Sequence, residues 1–223
     1  MKKIALSLAV VSAFVVSSCN NTNTQKKVEE GVAEVEAAVS EIKKEIVGTT
    51  YKVAPASVVE WVGSKPTGKH NGNVTVTEGN ITVENGAIKS GEFTLDMNTI
   101  TVLDLPAGDG KEDLEAHLKG TGKEADVDHF FNVKQFPKAT FVLKSFDGSN
   151  VTGDLTVKGK TKEISFPATV NITDSEVSIV SSPFKINRVD FGVNYGSKSV
   201  FDNLKDKFIN DDIELVVKVK ATK

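Results

Sequence analysis

Val74-Thr75-Val76-Thr77-Glu78-Gly79-Asn80-Ile81-Thr82-Val83-Glu84-Asn85-Gly86 is the stretch whose reading decides the fold class of this chain. Apolar and polar residues alternate in it at period two, the signature of a strand with one buried and one wetted face. Glu78-Gly79-Asn80 and Asn85-Gly86 read as hairpin loops, because glycine and asparagine reach the positive φ values that tight turns require. The same alternation surrounds the stretch on both sides. Val59 and Trp61 flank Glu60 upstream, and Phe93, Leu95 and Met97 alternate with Thr94 and Asp96 downstream. It resumes at Phe141 and Leu143, Leu155 and Val157, Ile164 and Phe166, Phe184 and Ile186, and finally Ile213, Leu215, Val217 and Val219. Asp147-Gly148-Ser149-Asn150 and Gly159-Lys160 supply further turns, so neighbouring strands are antiparallel. About eight strands are expected, and the domain is all-β.

The alternation lapses between Leu103 and Pro137. There Lys111 to Leu118 reads as a short helix with Leu114 and Leu118 on one face, an insertion over the sheet. Strands that each carry a single apolar face are hidden either in a sandwich or by closing into a barrel, and periodicity does not choose between the two. The chain has 223 residues, enough for one such domain. Its net charge of -3 and pI near 5.7 provide no basic field to hold phosphates, so nucleic acid is not an expected partner.

Upstream of Thr49 the pattern differs. Lys2 and Lys3 precede an apolar or small run from Ile4 to Val16, and Val16-Ser17-Ser18-Cys19 is a small-residue cleavage pattern ending in the sole cysteine. The apolar run falls short of the roughly 20 residues a spanning helix needs. This arrangement resembles the lipobox of bacterial lipoproteins, which implies a signal peptide over residues 1–18 and acylation of Cys19. Asn20 is not the aspartate that often retains such proteins at the inner membrane. The expected address is therefore the cell envelope, anchored in the outer membrane and facing the periplasm. Residues 19–48 form a tether: a polar run, then Val28, Val32, Val35, Val39, Ile42 and Ile46 at alternating steps of four and three, with Gly48 as cap. An amphipathic linker helix is the simpler reading, since a coiled coil usually needs three to four heptads. A short stalk giving weak self-association through residues 28–46 is the other.

Within residues 49–223, Leu114-Glu115-Ala116-His117-Leu118, Phe130-Phe131 and Phe136-Pro137-Lys138-Ala139-Thr140-Phe141 follow one another in an order that resembles the YceI-like family of lipid-binding proteins. The hairpin from Val151 to Lys162, the segment Ile186-Asn187-Arg188-Val189-Asp190-Phe191-Gly192 and Asp211-Asp212-Ile213-Glu214-Leu215 continue the resemblance. It implies an eight-stranded antiparallel lipocalin-like β-barrel with an apolar tunnel for a long-chain isoprenoid or similar amphiphile, and no catalysis. Two departures stand out. Gly120-Thr121-Gly122-Lys123-Glu124 lengthens one loop, and His129 stands where an aspartate often precedes the paired phenylalanines.

Read from periodicity alone, Trp61, Phe93, Phe141, Leu143, Leu155, Phe166 and Phe184 are inward core residues. The resemblance implies instead that they line the tunnel, together with Leu95, Phe130, Phe131, Val157, Ile186 and Phe191. His70, in a His-x-Gly pattern, joins this set either as a headgroup contact or as a hydrogen-bonded structural residue. Arg188 and Asp190 read as an ion pair or loop clasp. The three histidines, His70, His117 and His129, show no short ligand spacing such as His-x-x-x-His, so no metal centre is expected. No nucleophile elbow or cofactor motif is present, and no enzyme activity or cofactor is expected. Two functions follow: a lipid carrier or reservoir, and a structural lipoprotein whose barrel is filled by side chains. Mass spectrometry of the mature N-terminus from the native host is expected to find an acylated Cys19; an unmodified Cys19, or cleavage elsewhere, contradicts the lipoprotein reading.

Overall fold

The computed structural model describes residues 48–223; the signal segment, Cys19 and the apolar stripe over residues 28–46 lie outside the described residues. Ten antiparallel strands are present there: β1 (Thr49–Val53), β2 (Val58–Lys65), β3 (Gly68–Glu84), β4 (Ala87–Val102), β5 (Lys138–Phe146), β6 (Asn150–Val157), β7 (Lys160–Ile172), β8 (Glu176–Ser181), β9 (Phe184–Asn187) and β10 (Asp212–Thr222). One helix, α1 (Lys111–Lys119), interrupts them. It sits where the alternation lapses.

The strands close into a ring. Hydrogen bonding runs β2-β3-β4-β5-β6-β7-β8, and β10 then pairs with β8 on one edge and β2 on the other. That circuit has eight strand positions, and two of them are broken. β1 and β2 lie end to end along β3, while β8 and β9 lie end to end along β10. The ten strands thus fill the eight places expected of a barrel, and the sandwich alternative is excluded. Closure through β8 and β10 pairs the two ends of the sheet and removes most of the unpaired backbone groups an edge would present; β9 is paired on one side only, to β10.

The turns follow local chemistry, with two corrections. Asn85 and Gly86 have φ of 52° and 75° and make the two-residue β3–β4 turn as expected. Glu78-Gly79-Asn80 is not a hairpin loop. It lies inside β3, at a bulge where the pairing with β4 slips by one residue. Glycine is required there because a Cβ would lie 2.4 Å from the Glu92 carbonyl oxygen, and the bulge bends the long β3–β4 ribbon around the barrel. The β6–β7 turn uses Lys158-Gly159, one residue earlier than the Gly159-Lys160 reading.

Each broken position is sutured by a buried serine. At the β1–β2 break the Ser57 hydroxyl accepts from the Lys220 N–H at 3.1 Å and donates to the Ala54 carbonyl at 2.9 Å. Pro183, which has no N–H to give the ladder, accompanies the β8–β9 break, and the Ser181 hydroxyl accepts the Val217 N–H at 2.8 Å instead. Both serines are buried, so these bonds replace ladder contacts that water cannot supply. Ser57→Ala should cost about 1–2 kcal/mol by orphaning a buried donor and acceptor. The expected readout is a lower urea midpoint with an unchanged slope; an unshifted midpoint would show that Ser57 does not hold the break.

Candidate functional site

Inward side chains alternate along the strands, most regularly in β6, where Val151, Gly153, Leu155 and Val157 are buried and the residues between them are not. The ring they enclose is not solid. It holds a cavity of about 190 Å³, larger than the roughly 150 Å³ at which an apolar cavity already stays dry and takes up a small aromatic guest. The lining is aliphatic and aromatic except for Arg188 and Asn210.

The aromatic residues line the wall and leave the middle free. Phe93 and Phe141 have ring centroids 6.4 Å apart, Phe141 and Phe166 5.7 Å, and Phe166 and Phe184 4.4 Å with nearly parallel planes. These rings form an arc through β4, β5, β7 and β9. Gly153 of β6 makes part of that arc possible. A Cβ there would lie 2.5 Å from Phe141 Cζ, so the missing side chain lets the Phe141 ring lie against the strand. Trp61 comes from β2, Leu95 from β4, Leu143 from β5, Leu155 and Val157 from β6, Ile186 from β9 and Phe191 from the turn after it; all line the cavity. Phe130 and Phe131 reach it from the segment after α1, as does Leu118 from α1 itself. The Trp61 indole N–H has no partner among the described residues.

His70 is the exception. It does not itself line the cavity; it sits on β3 opposite Gly63, which does, and its Nδ1 meets Asp104 Oδ2 at 2.9 Å. Asp104 also accepts the Asn71 N–H. Burial raises the Asp104 carboxyl, but these hydrogen bonds outweigh it and hold it below the ordinary range. His70 is thus a hydrogen-bonded residue that fastens β3 to Asp104.

Arg188 is buried at 2% exposure and lines the cavity, yet its polar atoms are directed elsewhere. It donates to the carbonyls of Val193 at 2.7 Å, Ile209 at 3.0 Å and Asn210 at 3.0 Å, and its ion-pair partner is Asp211 at 3.4 Å, not Asp190. Asp190 has the right spacing, but a short 3₁₀ turn over Arg188–Phe191 replaces the extended chain that would put both on one side. Burial pushes the Asp211 carboxyl up; hydrogen bonds from Ser197 and Ser199 and the Arg188 charge more than offset this and hold it low. Such a carboxyl stabilises the fold above the ordinary carboxylate range, and that contribution is lost as pH falls through its lowered folded value.

A second cluster lies beside the cavity wall. His117 of α1 and His129, twelve residues on, face each other with Nε2 and Nδ1 2.9 Å apart, and Asp126 Oδ1 lies 3.4 Å from His129 Nδ1. Tyr195 stacks on His129 at 4.0 Å, and Phe130 packs edge-on to His117 at 5.1 Å. Burial lowers His117, Asp126 opposes that and His129 adds to it, which together hold the ring below the ordinary imidazole value. Sequence spacing gave no sign of the pair, since the fold brings α1 and the later turn together. Periodicity did mark other lining residues, among them Val74, Val76 and Met97, as apolar-face positions without assigning them to the site.

A closed antiparallel barrel around an apolar cavity is a lipocalin-like fold, and comparison with known proteins agrees. The YceI-like domain profile matches residues 34–221, and the chain belongs to that family. The match begins upstream of β1. UPF0312 protein SAS2572 of Staphylococcus aureus is 33% identical over 110 residues, which make up 47% of this chain and 60% of that protein. The chain thus spans about 60% of the length of the curated relatives it matches. Two solved structures share the fold. BcnA of Burkholderia cenocepacia is 22% identical with a TM-score of 0.53, covering 74% of this chain and 96% of its own. A polyisoprenoid binding domain from Saccharophagus degradans, described as implicated in plant cell wall breakdown, is 14% identical with a TM-score of 0.54, covering 77% and 97%.

Arg188→Met should leave three carbonyls without their donor and Asp211 without its cation, costing about 3 kcal/mol or more. Chemical denaturation is expected to show that loss, with limited proteolysis cutting first between residues 193 and 211. Wild-type stability in this variant would mean that the clasp is dispensable.

Proposed function

We propose that this protein is a lipid-anchored envelope protein that binds a long apolar amphiphile, isoprenoid-like in character, inside the barrel and serves as its carrier or reservoir. The observation that carries this reading is the cavity, enclosed by the ring and lined almost wholly by hydrocarbon. Membership of the YceI-like family supports it, as does the shared fold with a polyisoprenoid binding domain. Each methylene moved from water into such a space gains roughly 0.8 kcal/mol. A ligand drawn from a bilayer has that gain already. Net transfer is then close to neutral, and what remains is packing against the aromatic arc less the cost of ordering a flexible chain. A near-neutral balance suits reversible loading.

Acylation of Cys19 would hold the barrel beside its donor membrane, and the tether over residues 19–48 would raise the encounter frequency as any linker raises effective concentration. The outer membrane, on its periplasmic face, is the proposed address. No residue of the cavity has the charge or the partner to act as acid, base or nucleophile, which favours binding over turnover.

Trp61 is the single tryptophan and lines the cavity, so its fluorescence reports occupancy. Titrating delipidated protein with vesicles containing an isoprenoid alcohol should shift Trp61 emission to saturation at one ligand per barrel. Ala139 is buried on the lining, and Ala139→Leu, which adds three carbons to the cavity, should weaken uptake by about tenfold or more. Organic extracts of gently purified protein should contain a stoichiometric apolar molecule. No emission change and a clean extract would overturn the proposal in favour of a structural lipoprotein.

A further inference from the structure

We infer that His117, Asp126 and His129 form a binding site for a borderline divalent cation of the zinc class, fastening α1 to the segment that carries Phe130 and Phe131. One ligand atom from each residue lies within 4.8 Å of the other two. The donor set, two imidazoles and one carboxylate, suits zinc, cobalt or copper and not calcium or magnesium, which take oxygen ligands.

The geometry needs little adjustment. Metal–nitrogen bonds of about 2.0–2.1 Å at a tetrahedral angle place two nitrogens about 3.3 Å apart. His117 Nε2 and His129 Nδ1 stand 2.9 Å apart, so the rings must separate by about 0.4 Å, a small side-chain rotation. The hydrogen bond they now share keeps a proton on one of the two facing nitrogens. When the ion binds, that ring carries its proton on its other nitrogen, and both lone pairs turn to the metal.

The surroundings favour such a site. Tyr195 stacked on His129 and Phe130 edge-on to His117 fix the ring planes and lower the local dielectric. Asp128, the other nearby carboxylate, is engaged by Lys158 at 2.8 Å and does not compete. His129 and Asp126 remain 30% and 28% exposed, which gives an ion a path in and leaves its fourth position for water. Leu118 and Phe130, each next to a histidine ligand, line the cavity, so the ion would brace one stretch of the cavity wall.

The test is equilibrium dialysis of the purified protein against zinc chloride at neutral pH, with metal content measured by mass spectrometry. One zinc per chain is expected. His117→Ala and His129→Ala should each loosen it about a hundredfold, Asp126→Asn about tenfold, and His70→Ala not at all. Zinc should also raise the melting temperature of the unaltered protein and not that of the His117→Ala, His129→Ala double variant. Imidazole nitrogen NMR of the unaltered protein decides the matter even where a variant fails to fold: zinc should shift the signals of His117 and His129 and leave His70 unmoved. No stoichiometric zinc, undiminished binding in the double variant, or a shift confined to His70 would overturn the site. None of these readouts involves the cavity ligand.

Discussion

Ring closure through β10 is the constraint on which the rest depends. This strand hydrogen-bonds β2 on one edge and the β8–β9 pair on the other, so it joins the end of the described chain to its beginning. Without it the other strands would form an open sheet with two exposed edges and an inner face in contact with water. With it, eight strand positions fix the circumference, and a barrel of that size is just wide enough to be filled by side chains or to hold one slender guest. The circumference alone does not decide between those outcomes.

The distribution of side-chain bulk decides it. Phenylalanines at 93, 141, 166 and 184 stack along the wall instead of meeting across the axis, and Gly153 and Ala139 keep the wall thin on the same β5–β6 side. The same residues are therefore both core and lining. They bury one another well enough to stabilise the fold and still leave about 190 Å³ of apolar space. Apart from the Trp61 indole N–H, the polar groups near that space are satisfied elsewhere: Arg188 spends its donors on the carbonyls of Val193, Ile209 and Asn210, and the His117–His129 pair turns inward on itself.

Much of this was legible in the residues because period-two alternation is a local signal. The strand residues assigned to the tunnel line the cavity, since once a strand's inward face is known its alternate residues follow; Phe130, Phe131 and Phe191 lie off the strands and were legible only through the family resemblance. What failed were inferences needing information from distant parts of the chain. Glu78-Gly79-Asn80 has turn chemistry, but β4 runs alongside and holds it in the ladder as a bulge. Arg188 was paired with Asp190 on the assumption of extended chain, and the turn it occupies sends it to Asp211 instead. His70 meets Asp104, thirty-four residues on, a partner that its His-x-Gly pattern does not encode. His117 and His129 meet only because α1 folds back onto the chain that follows it, which no short spacing encodes.

The most direct measurement is diffraction from crystals of the delipidated protein soaked in a bromine-labelled alkyl chain, read by anomalous scattering. An apolar cavity held open by the ring predicts bromine peaks inside the barrel, between the arc of Phe93, Phe141, Phe166 and Phe184 and the facing strands. Aromatic rings closing across the axis, with every bromine on the outer surface, would contradict it.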